Sequence, residues 1–192
     1  LNLGHHVRAF ARTIDQTAIN HPKLEKIQGD ALLETDLEHG LRGADTVIQC
    51  LGLPLGPKLI LEPTNFFSNA TRLLVSLMEQ SSAKKLIAVT GFGAGDSKTR
   101  ISCFQKIPFR LVFGRAYDDK SVQEDLIRKS SLDWIIARPV VLTNGPQTGR
   151  YRVLAESPEW RNGLISRADV ADFLAQQIDC DDYLGKAPVL AY

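Results

Sequence analysis

The sequence predicts an α/β fold with an open, doubly wound parallel sheet, and three observations support this prediction. Five short runs rich in Val, Ile and Leu, at residues 6–11, 24–28, 46–50, 85–90 and 134–137, have the length of strands. The runs are apolar on both faces, which is typical of strands buried between two layers of helices. Segments with helical spacing lie between them, and this alternation favours right-handed βαβ units.

Three of the segments between and after these runs carry a helical pattern. Residues 64–80 follow a proline and place their apolar side chains in one stripe, which predicts a helix packed against the sheet. Residues 117–130 combine an apolar stripe with an alternating charged face. The third helix is predicted to begin after Ser166, which acts as its N-cap while Asp169 fills the third position of a capping box.

The glycine-rich loop at residues 91–100 does not match a dinucleotide-binding fingerprint. Gly91 and Gly93 would require a third glycine where Asp96 stands, and no helix start follows directly. These glycines are therefore predicted to allow a turn or a close approach of the backbone, with phosphate binding as the alternative. This loop and residues 143–150 both follow strands, at the carboxyl edge where open α/β sheets bind ligands.

Length and charge exclude several classes of partner. The 192 residues suit one domain that spans residues 1–192. The 23 basic and 22 acidic residues nearly cancel, so no field attracts nucleic acid or anionic lipid. No apolar stretch has the length needed to cross a bilayer. We therefore expect a small-molecule substrate, no nucleic-acid or membrane partner, and a monomer or homodimer.

The cysteine pattern predicts free thiols and no metal site. Cys50, Cys103 and Cys180 are odd in number and widely spaced, without the paired spacing that is typical of zinc ligands. Free thiols are typical of a reducing compartment, so we expect a cytoplasmic protein. The chain does not begin with Met, and we expect that it begins inside a longer protein.

Seven short motifs follow one another in a recognisable order. They are Gly4 to Arg12, Gln28 to Asp30, Gly43 to Ile48, Ala88 to Gly91, Lys120 with Glu124, Ser131 to Pro139, and Ser166 to Ala171. Each is weak alone, but together they resemble the atypical short-chain dehydrogenase/reductase superfamily, specifically its NAD(P)H-binding group of NmrA-like and flavin/biliverdin-reductase-like proteins. The resemblance covers nearly the whole chain and implies a Rossmann-like fold.

The resemblance also implies that a first strand and a glycine-rich phosphate loop precede the residues of this chain. That strand would lie between the strands predicted at residues 6–11 and 46–50, so we expect a gap and an exposed groove there. The amides at the start of the helix that follows the loop would hold the pyrophosphate.

Arg12 and Thr13 follow the first predicted strand, where similar proteins distinguish the two dinucleotides. A guanidinium can bind a 2′-phosphate through two hydrogen bonds, whereas a carboxylate would bind the bare ribose. The resemblance therefore implies NADP, with NAD less favoured; the alternative for Arg12 is a solvated strand end. Asp30 would lie beside the adenine, or would instead cap the segment that follows it.

The other cofactor contacts that the resemblance implies lie after later strands. They are Cys50, Leu51 and Gly52 at the ribose and pyrophosphate, and Pro139, Val140 and Val141 at the nicotinamide. Cys50 is not expected to be catalytic, because the sequence shows no basic neighbour. Thr90 would lie level with the nicotinamide, or would be a plain strand-end threonine. Lys120 would lie near the nicotinamide ribose, or would be an exposed helix charge near Glu124.

The implied activity is that of an NADP-dependent oxidoreductase acting on a small acceptor such as a flavin, a quinone or a carbonyl compound. Its catalytic candidates are Lys120, Thr90 and Tyr117. Carbonyl reductases of this superfamily use Tyr-x-x-x-Lys, but Ala116 stands four residues before Lys120, and Tyr117 stands three before it. One residue turns a side chain by about 100° around a helix, so we expect the Tyr117 hydroxyl to be dispensable. The alternative is an NmrA-like regulator that senses the dinucleotide without catalysis.

Overall fold

The computed structural model describes residues 1–54, 56, 64–100 and 103–192, apart from the side chains of residues 103–113. Within these ranges the helices are Glu34–Leu41 (α1), Phe66–Gln80 (α2), Cys103–Lys129 (α3) and Arg167–Gln176 (α4). The strands are Val7–Ala11 (β1), Leu24–Gln28 (β2), Thr46–Gln49 (β3), Lys85–Val89 (β4), Asp133–Pro139 (β5), Val141–Thr143 (β6), Arg152–Leu154 (β7), Leu164–Ser166 (β8) and Val189–Ala191 (β9).

The main sheet has the strand order β3, β4, β5, β9, β7. Its strands are parallel except for β7, which runs antiparallel to β9. Two further parallel pairs, β1 with β2 and β6 with β8, stand beside it. The helix α2 leads from β3 to β4 and α3 leads from β4 to β5, as parallel neighbours require. The predicted Rossmann-like fold with a parallel sheet is confirmed.

The core lies on both faces of the main sheet, because neighbouring residues of each strand point in opposite directions. Leu86 of β4 and Ile136 of β5 belong to the cluster that includes α2 and α3. Ile87 and Ile135, one residue away, belong to a second cluster that includes Phe173 of α4. The double burial explains why the strand sequences are apolar on both faces.

A groove separates β1 from β3. Among the described strands, β1 pairs with β2 and β3 pairs with β4, and neither pairs on its other edge. The cavity between them has a volume of about 860 Å³ and is lined by Val7 to Phe10 on one side and Thr46 to Leu51 on the other. The predicted gap in the sheet is therefore present.

The structure differs from the sequence-based prediction in two parts of the fold. The helix predicted at residues 117–130 is the last part of α3, which begins at Cys103. Pro108 and Gly114 interrupt the helical pattern of its first half, because both residues disfavour helix interiors. The strands β6 to β9 have three residues each, which is too short for a periodic pattern to be recognised.

Candidate functional site

Lys120 brings a positive charge to the carboxyl ends of β3 and β4. Its Nζ donates a hydrogen bond of 2.6 Å to the Thr90 carbonyl oxygen, directly after β4. It also lies 4.7 Å from the centre of the Phe67 ring, at the start of α2. Burial lowers the pKa of Lys120 to about 8. The negative charges nearby act in the opposite direction and raise the pKa, and Glu124 has the largest such effect. The alternative interpretation, that Lys120 is an exposed charge on the helix, is therefore wrong.

Cys50 follows β3 and faces Lys120. Removal from water raises the pKa of the Cys50 thiol, whereas the Lys120 charge acts to lower it. The expectation that Cys50 lacks a basic neighbour is wrong, because Lys120 is distant in sequence and reaches it only through the fold. The residue as a whole is exposed, but the removal of its thiol from water has a larger effect on the pKa than the Lys120 charge.

Thr90 points into the protein and contacts α3. The residue is 4% exposed, and its hydroxyl donates to Glu124 Oε1 at 2.7 Å. Glu124 also accepts from Arg138 Nε at 3.0 Å, and Arg138 contacts the Asp96 carboxylate. Sequence analysis missed this arrangement, although a glutamate and an arginine both stood in the recognised motifs.

The glycines at 91–95 allow close packing, as predicted. Gly95 has a φ of +53°, and a Cβ atom there would lie 2.2 Å from Glu124 Oε2. A Cβ atom on Gly91 would lie 2.6 Å from the Tyr117 hydroxyl. The phenol therefore packs beside the end of β4, and burial raises the pKa of Tyr117 to about 12.

Arg8 lies in β1 and Arg12 directly follows this strand. Of the two, only Arg8 is engaged by the protein. Arg8 forms a 2.8 Å ion pair with Glu25 and donates to the His39 carbonyl at 2.9 Å. The Arg12 side chain is exposed, and within the described residues its guanidinium has no hydrogen bond or ion pair. Thr13 is likewise exposed and makes no side-chain cap. Arg12 is thus available to an anion.

Asp30 acts within its own turn. Its Oδ1 accepts from the Leu32 backbone N–H at 3.0 Å, and its own N–H donates to Asp36 at 2.9 Å. This local turn corresponds to the capping alternative for Asp30, but the helix α1 itself begins after Leu33, which makes no side-chain cap. One oxygen of the carboxylate carries this cap.

The remaining predicted contacts differ in how open they are. Leu51 lines the groove, and among the described residues a Cβ atom added to Gly52 would meet no atom within 4 Å. Val141 is 55% exposed, whereas Val140 is 6% exposed. The backbone groups of Pro139 and Val140 already form hydrogen bonds within the protein. The Phe92 N–H donates to the Pro139 carbonyl oxygen at 3.0 Å, and the Val140 N–H donates to the Leu190 carbonyl oxygen at 3.2 Å.

The N-terminus of α2 is capped from another helix. Asp119 of α3 is 5% exposed and accepts from the Phe67 and Ser68 N–H groups at 2.8 Å and 3.2 Å. Because these amides are satisfied and a carboxylate already stands there, a phosphate has no place at this helix end. In the described part of the chain, no group of three or more side chains is arranged to hold a metal, and no helix is both long and apolar enough to cross a membrane.

Comparison with known proteins agrees with this geometry. The model of a family described as NAD(P)H-binding matches residues 1–181. The chain belongs to this NAD(P)H-binding family. Among solved structures, it is similar to ChuY from Escherichia coli CFT073, with 23% identity over 99% of this chain and 86% of that chain, and a TM-score of 0.74.

Two further solved structures share the fold of this family member. ChuY of Escherichia coli O157:H7, an anaerobillin reductase, is 24% identical over 96% of this chain and 83% of that chain, with a TM-score of 0.77. A short-chain dehydrogenase/reductase from Veillonella parvula, solved with NADP, is 16% identical over 97% of this chain and 82% of that chain, with a TM-score of 0.79.

The residues of this family member fit a nicotinamide dinucleotide in chemical type. Arg12 offers a guanidinium that the protein leaves unoccupied among its described contacts, and Gly52 leaves room for close approach to the backbone. Lys120 supplies three N–H donors, of which one binds Thr90. Cations of this kind bind phosphate and ribose oxygens through charge-assisted hydrogen bonds.

Proposed function

We propose that the protein is an NADP-dependent oxidoreductase that reduces a small acceptor. The observation that carries the proposal is the Lys120 ammonium at the ends of β3 and β4, where it is largely removed from water and bonded to the Thr90 carbonyl. NADPH supplies the hydride when it is bound, and the protein has to bind it, orient it and exclude water. A desolvated ammonium binds oxygen atoms more strongly than one in water.

Each contributing residue then has a task. Lys120 binds ribose hydroxyls through its N–H groups that Thr90 leaves free. Gly52 leaves the end of β3 open, so that a ligand can approach the backbone. Val141, which is 55% exposed, provides an apolar surface after β5. Arg12 binds the 2′-phosphate that distinguishes NADP from NAD.

The cofactor preference is tested by calorimetry with NADPH and NADH. A hydrogen bond to a charged group contributes roughly 1.5–3 kcal/mol, so Arg12→Ala should weaken NADPH binding by about one to two orders of magnitude. NADH binding should change little. Arg8→Ala is the matched control, because Arg8 is engaged by Glu25 and His39. Equal losses for both cofactors in Arg12→Ala would show that Arg12 does not bind the phosphate.

The acceptor is tested by following the oxidation of NADPH with a panel of compounds. We propose a flavin or a quinone ahead of a carbonyl compound, because the pKa of Tyr117, about 12, makes its phenol a weak proton donor at neutral pH. Anaerobillin belongs in the panel because one structural neighbour is an anaerobillin reductase. If NADPH binds but no acceptor is reduced, the dinucleotide-sensing regulator replaces the oxidoreductase.

A further inference from the structure

Glu124 stands in a network of charges that is buried at Glu124 and Arg138 and partly exposed at Arg128 and Asp96, and the proposed function gives this network no task. Glu124 and Arg138 are both 0% exposed, and Arg138 Nε donates to Glu124 Oε1 at 3.0 Å. Arg128 Nη2 lies 4.0 Å from Glu124 Oε2 and 3.6 Å from Asp96 Oδ1. Arg138 also contacts Asp96, so two carboxylates balance two guanidiniums. Removal of one partner would leave a buried charge unpaired.

One residue connects this network to the candidate site. The Thr90 hydroxyl donates to Glu124 Oε1 at 2.7 Å. The Thr90 carbonyl accepts from Lys120 Nζ at 2.6 Å. Because both groups belong to one residue after β4, a fixed Glu124 also holds the acceptor that binds the ammonium. The guanidinium of Arg138 is held in turn by Trp160, whose ring centre lies 5.0 Å away.

We propose that Glu124 is a positioning residue, which together with Arg138 holds Thr90 and through it places the Lys120 ammonium at the carboxyl edge of the sheet. The proposal rests on the proposed function for the task of Lys120, but the placement itself concerns the protein alone. A binding group held in place by such outer contacts is oriented before its ligand arrives.

Glu124 also acts on Lys120 through its charge. Lys120 faces Glu124 and Asp119 on its own helix, the Cys50 thiol after β3, and the Phe67 ring of α2. Burial lowers the pKa of Lys120 to about 8, and the negative charge of Glu124 is the strongest of the influences that raise it. A neutral side chain at position 124 must therefore lower the pKa of Lys120 further.

The first test is an NMR titration of the Lys120 side chain in the full chain without cofactor. Glu124→Gln should lower its titration midpoint from the wild-type value. Asp169→Asn is the matched control, because Asp169 is also 0% exposed and bonds Thr148 and Tyr192 in another part of the protein. It should leave the Lys120 midpoint unchanged. An unchanged midpoint in Glu124→Gln overturns the proposal.

The second test keeps the charged pair and covers the case that Glu124→Gln fails to fold. Thr90→Val has nearly the same shape but cannot donate to Glu124, and it should shift the Lys120 side-chain resonance at neutral pH. Thr90→Ser, which retains the hydroxyl, should restore the resonance. Failure of Thr90→Val to move the Lys120 resonance overturns the link through Thr90.

The same variants separate this proposal from the proposed function. Thr90→Val should weaken NADPH binding roughly tenfold, and Lys120→Met combined with it should bind no worse than Lys120→Met alone. Independent, additive losses would contradict the link. If the wild-type chain does not bind NADPH, the proposed function fails, whereas the titration without cofactor still decides the role of Glu124.

Discussion

The β1–β2 pair and the main sheet are built from similar apolar strands, but they are packed to different depths. None of the five residues of β1 is buried, whereas the three central residues of β4 are buried. β1 has the groove on one edge, while β4 has a paired strand on each side. A strand sequence therefore sets how much apolar surface is offered, and the neighbouring elements set how much of it is buried.

The charged residues follow the same division. Arg8 and Glu25 of the β1–β2 pair have side chains that are 26% and 53% exposed, whereas those of Arg138 and Glu124 are 0% exposed. Exposed ion pairs contribute little to stability because water and salt screen them, but a buried pair is costly to break. Arg12, whose exposed guanidinium has no hydrogen bond or ion pair among the described residues, lies in the less buried β1–β2 region.

The largest expected difference between the two regions comes from removing one arginine in each. Arg138→Met removes the guanidinium that binds the buried Glu124 directly, and it should lower the free energy of unfolding by roughly 3–5 kcal/mol. Arg8→Met removes a partly exposed pair and should cost about 1 kcal/mol or less. Urea denaturation of both variants measures the difference. Similar losses would mean that burial does not separate the two ion pairs.

The next effect depends on pH and belongs to the main sheet. Burial lowers the pKa of Lys120 from 10.5 to about 8, so the unfolded chain binds more protons between these values. The free energy of unfolding should therefore rise as the pH increases from 8 towards 10.5, by at most roughly 3 kcal/mol. Lys120→Met should lack this rise. The free energy of unfolding of the wild type and of Lys120→Met is measured from neutral to alkaline pH. If the pKa of Lys120 were unperturbed, the two curves would run parallel.

A smaller effect should be confined to the β1–β2 pair. A Cβ atom on Gly29 would lie 2.4 Å from Phe10 Cε2, so Gly29→Ala forces the ring to move and should cost about 1 kcal/mol, the low end for overpacking. Hydrogen exchange should become faster in β1 and β2 and stay unchanged in β4 and β5. Gly163→Ala is the control, because its nearest atom lies 3.7 Å away. Faster exchange throughout the molecule would show that the two regions unfold together.

The smallest effect is expected at Tyr117. Its pKa of about 12 makes the phenol a weak acid at neutral pH, so Tyr117→Phe should change the turnover of a flavin or quinone acceptor by only a few fold. Stopped-flow measurement of NADPH oxidation checks this. Loss of a general acid typically lowers the rate by roughly a hundredfold or more, and a drop of that size would restore a carbonyl reductase with Tyr117 as its proton donor.

The site was predictable to the extent that it depends on strand ends. The carboxyl ends of parallel strands meet at one edge, so the sequence alone placed Cys50 and Thr90 at that edge of the sheet. Which way each side chain points was not predictable, because a shift of one residue along a strand reverses the face. For Thr90 the sequence left open a position level with the nicotinamide or a plain strand end, and it did not indicate that the hydroxyl bonds to Glu124 on α3.

Asp30 and Glu124 show why local and distant partners differ in this respect. The cap that Asp30 makes with Leu32 spans two residues, and it was among the alternatives that the sequence offered. Glu124 instead contacts Thr90, which lies 34 positions away in the sequence, and Arg138, which lies 14 positions away. The Glu124 motif was recognised, but no spacing rule connects such residues before the sheet and α3 are assembled.

The sequence by itself determined the fold class, the NAD(P)H-binding family and the gap beside β3, because these depend on the order of apolar strands, helices and turn residues along the chain. Only the tertiary structure decided that Arg12 is unoccupied while Arg8 is engaged, and that Lys120 is desolvated beside Cys50. These properties depend on which charges and how much water lie within a few ångströms of a group. For the arginines these surroundings are set by the pairing of β1 with β2 and by the position of α1. For Lys120 they are set by the packing of α2 and α3 on the sheet, and no local pattern of residues encodes them.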